Sequence, residues 1–372
     1  MKIYKIKEIC HLEKGKQIDT TLLNDNNPYK YINGGIKQTG YYTSYNTEGE
    51  AVLVSEGGAS CGYVNYINEK FWCGCHCYKL TECKCLTKYL YYALKGNQDK
   101  LMALRTGTAM PNIKKSTFQA MELNLNENIF EQETVINTLD KVQLVIDAKK
   151  AELNDLDVLV KSRFIEMFGD PIANSFNVKT KPMTEVCEII DGDRGKNYPT
   201  AEEFLEEGYC LFLNTKNVTS SGFNFETCMF VTKEKDEILR NGKLKRGDVV
   251  LTTRGTIGNI AFYTDKIPYE HIRINSGMVI LRMHREEINE IYFIEQFKMQ
   301  LADIKGKIAN GSAQPQLPIS KMNKIQVLLP DINLQNKFAK FVRQVDKSKL
   351  LVQKSLEQTQ QLFDSLMQKY FL

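Results

Sequence analysis

One motif occurs twice in this chain, about 204 residues apart, and that repetition restricts the possible folds more than any other feature. Gly107-Thr108-Ala109-Met110-Pro111-Asn112-Ile113 is followed by Ser116, and Gly311-Ser312-Ala313-Gln314-Pro315-Gln316-Leu317 by Ser320. Gly, Ala, Pro and Ser keep their offsets, and Thr to Ser, Asn to Gln and Ile to Leu are mild changes. A chain built from two copies of one unit presents two equivalent surfaces. Its function should therefore involve reading or holding something twice.

A long helical segment follows each block. Val135, Leu139, Val142, Ile146, Lys149, Leu153, Leu156, Val160, Arg163 and Met167 are spaced alternately by four and three. Adding 203 gives Phe338, Val342, Val345, Lys349, Val352, Leu356, Thr359, Phe363, Leu366 and Tyr370. Eight of ten are apolar in each copy, the pattern of a coiled-coil seam. No proline or glycine interrupts either run, as a continuous helix requires. The polar breaks do not coincide: Lys149 corresponds to Val352, Lys349 to Ile146 and Arg163 to Leu366. Polar residues in a seam cost stability and fix register, so the two helices are expected to pair with each other, antiparallel. The alternative is two core helices of separate domains.

Ahead of each helix the pattern is mixed. Ala51-Val52-Leu53-Val54-Ser55-Glu56-Gly57-Gly58 leads to Gly62-Tyr63-Val64, and Asp248-Val249-Val250-Leu251-Thr252-Thr253-Arg254-Gly255 leads to Gly258-Asn259-Ile260. Both read as strand, glycine turn, strand. The openings match as well: Ile6 to Cys10 with Gly15 resembles Met183 to Cys187 with Gly192, and Ile32-Asn33 matches Leu213-Asn214. Elsewhere the two globular parts diverge, as two different readers on a common frame would. Drift of a duplicated structural domain is the other explanation.

Length and composition set outer bounds. The 372 residues allow two or three domains with their own cores. No apolar run has membrane-spanning length, and Met1 to Glu8 lacks the apolar stretch of a secretory signal. Ten cysteines without such a signal read as cytosolic thiols rather than disulfides. A net charge of +4 permits nucleic-acid binding without indicating it.

Taken together, the duplicated blocks, the helix starts (Phe130 to Ile136; Leu334 to Phe338) and the helix ends (Leu159 to Phe164 with Phe168; Leu362 to Met367 with Phe371) resemble the specificity subunits of Type I restriction-modification systems over essentially the full length. The second helix start has Leu334-Gln335 where the first has Glu131-Gln132, a small departure. The resemblance implies an α+β fold: two tandem target-recognition domains, each followed by a long helix, with the helices pairing as an antiparallel coiled coil. The expected boundaries are 1–125 for the first recognition domain, 126–170 for the first helix, 171–328 for the second domain and 329–372 for the second helix. It implies a cytoplasmic, non-catalytic reader of double-stranded DNA whose bipartite target has an unread spacer. Each domain would lie in the major groove, where all four base pairs are distinguishable. Two methyltransferase subunits would dock on it and, in systems that restrict, nuclease and translocase subunits. The chain itself would need no cofactor. S-adenosylmethionine would belong to the methyltransferase, which flips its target adenine out of the stack, and ATP and magnesium to the nuclease.

Catalytic chemistry finds little support in the residues. Asn26-Asn27-Pro28-Tyr29 lacks the second proline of an amino-methyltransferase motif, and no phosphate loop opens a helix. Gly57 to Gly62 lies between strands, which favours a tight turn over nucleotide binding. The four histidines form no ligand pattern. Cys73-Gly74-Cys75-His76-Cys77 with Cys83 and Cys85 is dense in soft ligands, but alternation along one strand would put Phe71, Cys73, Cys75 and Cys77 on a single face. Core packing is favoured there over metal binding. The alternatives that remain are the recognition portion of a fused methyltransferase-endonuclease, against which the chain ends argue, and a coiled-coil interaction protein.

Candidate DNA contacts come from residue type and loop position. In the first copy they are Lys14, Lys16, Asn33, Lys37, Gln38, Arg105, Thr108 and Asn112. In the second they are Lys196, Asn214, Lys216, Asn217, Arg254, Thr256, Gln314 and Gln316. Arginine pairs with guanine and asparagine or glutamine with adenine in the major groove. Any one of these side chains could equally be solvated surface, and the repeated block could instead serve domain-helix packing or subunit docking.

Overall fold

The computed structural model describes residues 1–107, 109–309 and 316–372, and of 307–309 the backbone alone. It forms two compact units, one of Met1–Glu152 with Val352–Leu372, the other of Leu153–Leu351.

In the first unit the strands are β1 (Lys2–Lys5), β2 (His11–Lys14), β3 (Tyr29–Ile32), β4 (Gly40–Tyr42), β5 (Ala51–Ser55), β6 (Val64–Ile67), β7 (Phe71–Cys73), β8 (Cys77–Thr81) and β9 (Glu122–Leu125). They build a four-stranded sheet β2-β8-β5-β6, a three-stranded sheet β4-β3-β7 and the pair β1-β9. Every residue of β5 is buried, which explains why Ala51 to Val54 reads as an unbroken apolar run rather than an alternating one. One of its faces meets Tyr78 and Leu80, and the other meets Ile32, Phe71 and Cys73.

The second unit contains β10 (Thr180–Pro182), β11 (Cys187–Asp191), β12 (Cys210–Leu213), β13 (Val218–Thr219), β14 (Gly222–Phe223), β15 (Phe230–Val231), β16 (Val249–Thr252), β17 (Ile260–Phe262), β18 (Ile272–Ile274), β19 (Met278–Met283) and β20 (Gln326–Leu328). Its sheets run β11-β19-β16-β17, β15-β12-β18 and β10-β20, with an added hairpin β13-β14. Apart from that hairpin, the order repeats the first unit strand for strand. Even the parallel pairs correspond: β3 with β7, Ile32 opposite Cys73, and β12 with β18, Leu213 opposite Ile274.

The matched glycines explain themselves at two positions. A Cβ on Gly15 would lie 2.2 Å from the Cys73 carbonyl oxygen, and one on Gly192 the same distance from that of Asn275. Backbone packs against backbone at this point in both copies, and any side chain would force it apart.

Each long helix, Ile129–Phe168 and Ile332–Phe371, contributes residues to both units. In the first unit Val135, Leu139 and Ile146 share a core with Phe363, Met367 and Phe371. In the second, Val160, Phe164 and Phe168 share a core with Phe338, Val342 and Val345. There the Phe164 and Phe338 rings meet edge to face at 5.4 Å, and Lys349 Nζ lies 2.6 Å from Asp157 Oδ1. All twenty positions of the two four-three stripes are buried or half-buried. Among the described residues no helix is long and apolar enough to cross a membrane.

One expectation fails. The segment from Phe71 to Cys77 is not a single strand: β7 stops at Cys73 and β8 begins at Cys77, with a turn between. The Cys77 amide donates back to the Gly74 carbonyl, which closes that turn. Cys73 and Cys77 do pack in the core with Phe71, but Cys75 leaves that face and points its thiol at the Gln17 side chain, 3.0 Å from Oε1.

Candidate nucleic-acid interface

The repeated block and the glycine turn, far apart in sequence, meet in both units. In the first unit the Ile113 amide donates to the Glu56 carbonyl, the Glu56 amide donates to the His76 carbonyl, and Gly57 bridges to Asn112. In the second the Leu317 amide donates to the Thr253 carbonyl, the Thr253 amide donates to the Gly277 carbonyl, and Arg254 bridges to Gln316. Left-handed glycines shape both turns: Gly58 (φ +75°) and Gly62 (φ +78°), then Gly255 (φ +69°) and Gly258 (φ +86°). These bonds make Gly57 and Arg254, His76 and Gly277, and Asn112 and Gln316 equivalent positions. A Cβ on Gly58 or on Gly255 would meet nothing within 4 Å, so both turns face open space.

Around the first turn the structure gathers several candidates and two residues that sequence reasoning missed, Gln17 and His76. Asn33 follows β3 at the end of the parallel pair, where it donates to Gln17 Oε1 (3.3 Å) and accepts from the His76 amide (3.1 Å). Lys14 ends β2 and is held by Glu56 at 2.6 Å, so its charge is already matched. Lys16 is exposed, and its carbonyl accepts from the Trp72 indole at 2.7 Å. Lys37 and Gln38 are exposed on the loop between β3 and β4. Arg105 is half-buried and donates from Nε to the Cys61 carbonyl at 2.8 Å, which anchors the block. Thr108 lies outside the described residues.

Around the second turn Arg254, Thr256 and Gln316 are exposed and near in the chain fold. Arg194, two residues past Gly192 as Gln17 is past Gly15, was also missed. Its guanidinium donates to Asp191 Oδ1 (3.0 Å) and to the Ser276 carbonyl (3.2 Å). Lys196 and Lys216 are exposed. Asn214 caps a short turn by accepting from the Lys216 amide at 2.8 Å. Asn217 is fully buried. Its amide donates to the Asn224 and Thr227 carbonyls at 3.0 and 2.7 Å, and its oxygen accepts from the Asn214 amide at 2.9 Å. Expecting a base contact from Asn217 therefore gives way to a structural role, because no edge of the amide is free. Gln314 lies outside the described residues.

Beside this second surface sits Asp193, 3% exposed. Burial pushes its carboxyl up, but hydrogen bonds from the Arg240 backbone and side chain outweigh that and hold it below its ordinary value. It is a charged anchor for the loop rather than a proton donor. Several buried thiols are pushed the other way. Burial raises Cys187 and Cys210 to about 12, so both stay protonated at neutral pH and behave as small apolar groups. Among the described residues no group of three or more His, Cys, Asp or Glu side chains is placed to hold a metal ion.

The model of the Type I restriction modification DNA specificity domain matches residues 1–157 and 177–361. This chain belongs to that family. It is a non-catalytic DNA-specificity subunit of the type I restriction-modification class. A type I specificity subunit of Mycoplasma genitalium is 27% identical over 98% of this chain and 92% of its own length. The MjaVIII specificity subunit of Methanocaldococcus jannaschii is 23% identical over 75% of this chain and 68% of its own. The crystal structure of the S subunit of the M. genitalium type I system covers 100% of this chain and 96% of that one, with a TM-score of 0.63 and 25% identity. A type I restriction-modification structure with a TM-score of 0.56 and 12% identity covers 99% of this chain and 97% of that one, and shares the fold.

Proposed function

We propose that this specificity subunit reads a bipartite DNA target with an unread spacer, one half-site per unit. The observation that carries this is the doubled frame: the same sheets and the same bridge from block to turn, with different side chains at the turn. The two long helices pair as an antiparallel coiled coil that sets the distance between the readers. At about 1.5 Å per residue, 40 residues span on the order of 60 Å. The four segments 1–125, 126–170, 171–328 and 329–372 act as reader, helix, reader and helix. Two methyltransferase subunits, which carry the S-adenosylmethionine, dock on this frame in the cytoplasm; a nuclease subunit with ATP and magnesium joins in systems that restrict.

The exposed candidates Lys16, Lys37, Gln38, Lys196, Lys216, Arg254, Thr256 and Gln316 form the contact set, supported by Asn33, Asn112 and Asn214 at the loop bases. Lys14 and Arg105 contribute through the loops they hold. Lysine contacts to phosphate should make binding fall steeply with salt.

The test is co-expression with an adenine methyltransferase subunit of the same system, followed by methylation mapping of the host DNA. A split motif that disappears when this chain is omitted supports the reading. A continuous motif, or methylation that persists without the chain, contradicts it.

A further inference from the structure

Arginine is distributed unequally between the two readers. Residues 1–125 hold one arginine, Arg105, whereas residues 171–328 hold seven. Six of those seven are paired with other groups of the chain. Arg194, Arg240, Arg273, Arg282 and Arg285 each pair with a carboxylate. Arg246 donates to the Thr264, Ile267 and Tyr269 carbonyls. Arg254 is the seventh. It is exposed, and its guanidinium has no partner among the described residues.

Its backbone, by contrast, is pinned. The Arg254 amide donates to the Gly277 carbonyl at 3.2 Å, and the residue bridges to Gln316. Thr253, before it, is 5% exposed and bonds Gly277 through its hydroxyl at 3.1 Å. With its backbone already fixed, Arg254 needs only its side chain ordered on binding, which limits the entropic cost of contact. In the first unit the equivalent position is Gly57, which has no side chain at all, although the bridge from block to turn and the amide hydrogen bond of the preceding residue recur.

That difference separates base contact from phosphate contact. Phosphates are alike in both half-sites, so a phosphate anchor belongs in both copies of a duplicated reader. A side chain present in one copy and missing from the other, on an otherwise conserved frame, fits the part of the target that differs. Arginine spans the O6 and N7 acceptors of guanine with two parallel hydrogen bonds, the commonest specific contact in the major groove. We propose that Arg254 reads a guanine in the half-site of the second unit, and that the first unit reads its half-site without an arginine at that turn. This rests on the bipartite reading above.

The experiment uses the complex with its methyltransferase subunits. The motif is first mapped for the wild type and for R254Q. Duplexes carrying 7-deazaguanine, which lacks the N7 acceptor, at each guanine of the second half-site are then compared as methylation substrates. The expected wild-type motif has a guanine in that half-site whose 7-deaza analogue is methylated on the order of tenfold more slowly. R254Q should lose the preference for guanine there, with the first half-site and the spacer unchanged. The duplex arm needs no variant, so it can overturn the proposal even if R254Q folds poorly, and R254K, which keeps the charge but not the two parallel donors, supplies a second variant. Three results overturn the proposal: a second half-site without guanine, 7-deazaguanine tolerated at every guanine, or R254Q methylating the same motif at a uniformly lower rate. A wild-type motif that is not split sinks the bipartite reading itself, and this inference with it.

Discussion

Asn217 and Asn33 carry the same side chain and look alike in sequence, yet their positions differ. Asn33 is half-buried at the rim of the first turn, while Asn217 is sealed inside the second unit with every polar edge used. Residue type does not encode exposure, which is why both look like candidate DNA contacts in the sequence. A signal was present: Asn214 and Asn217, three apart, cap each other in the manner of a capping box. Asn217→Ala leaves three backbone groups short of a partner and should destabilise the protein by about 2–3 kcal/mol, read from denaturant midpoints. Lys216→Ala, on the exposed side of the same turn, should stay within about 0.5 kcal/mol. Asp236 supplies a pH test. It lies beneath Arg273, 2.5 Å from its Nε, and also pairs with Lys243. Burial pushes its carboxyl up, but hydrogen bonds from Lys243 and Arg273 outweigh that and hold it below the ordinary 3.8. A depressed carboxyl contributes stability above its unfolded value and loses it as pH falls through the folded one. Urea midpoints for the wild type should therefore drop extra steeply below about pH 4. Asp236→Asn should be less stable at pH 7, because it leaves Arg273 buried without a charge partner, and should show a flatter acid limb.

At the scale of the element, periodicity made the helices readable. A four-three stripe without glycine or proline can hardly be anything but a long helix, and both run for 40 residues. The strands of the sheets were legible only where a glycine turn broke the pattern, as at β5–β6 and β16–β17. Pairing between distant segments, such as Gly57 with Asn112, leaves no local trace, because the bridge depends on backbone groups that every residue carries. The break between β7 and β8 was missed because alternating cysteines mimic a strand, whereas Gly74 in fact starts a turn. Lys349 was legible as a break in the stripe, but its partner Asp157 was not, since Asp157 lies off the stripe. If the helices set the spacer, one heptad inserted into each, at the Glu152–Leu153 and Leu351–Val352 boundaries, adds about 10 Å, or roughly three base pairs. Methylation mapping should then show a longer gap between unchanged half-sites. An unaltered gap would sink the ruler.

Across the whole molecule, the duplication was the most legible property and also the most consequential one. Matched glycines, matched blocks and matched stripes foretold a repeated unit, and the three sheets recur in the same order. The bare Gly57 and the arginine at position 254 already stand opposite each other in the two matched segments, whereas the added hairpin β13-β14 could not be foretold. A frame kept constant while the residues at its turns vary is what independent reading would demand, because a change in one reader must leave the other intact. The measurement that tests this most directly replaces residues 1–125 with the recognition domain of another specificity subunit and maps adenine methylation for parent and hybrid. One half-site should change, while the second half-site and the spacer stay as they were. A hybrid in which both half-sites change, or neither does, would contradict two independent readers on one frame.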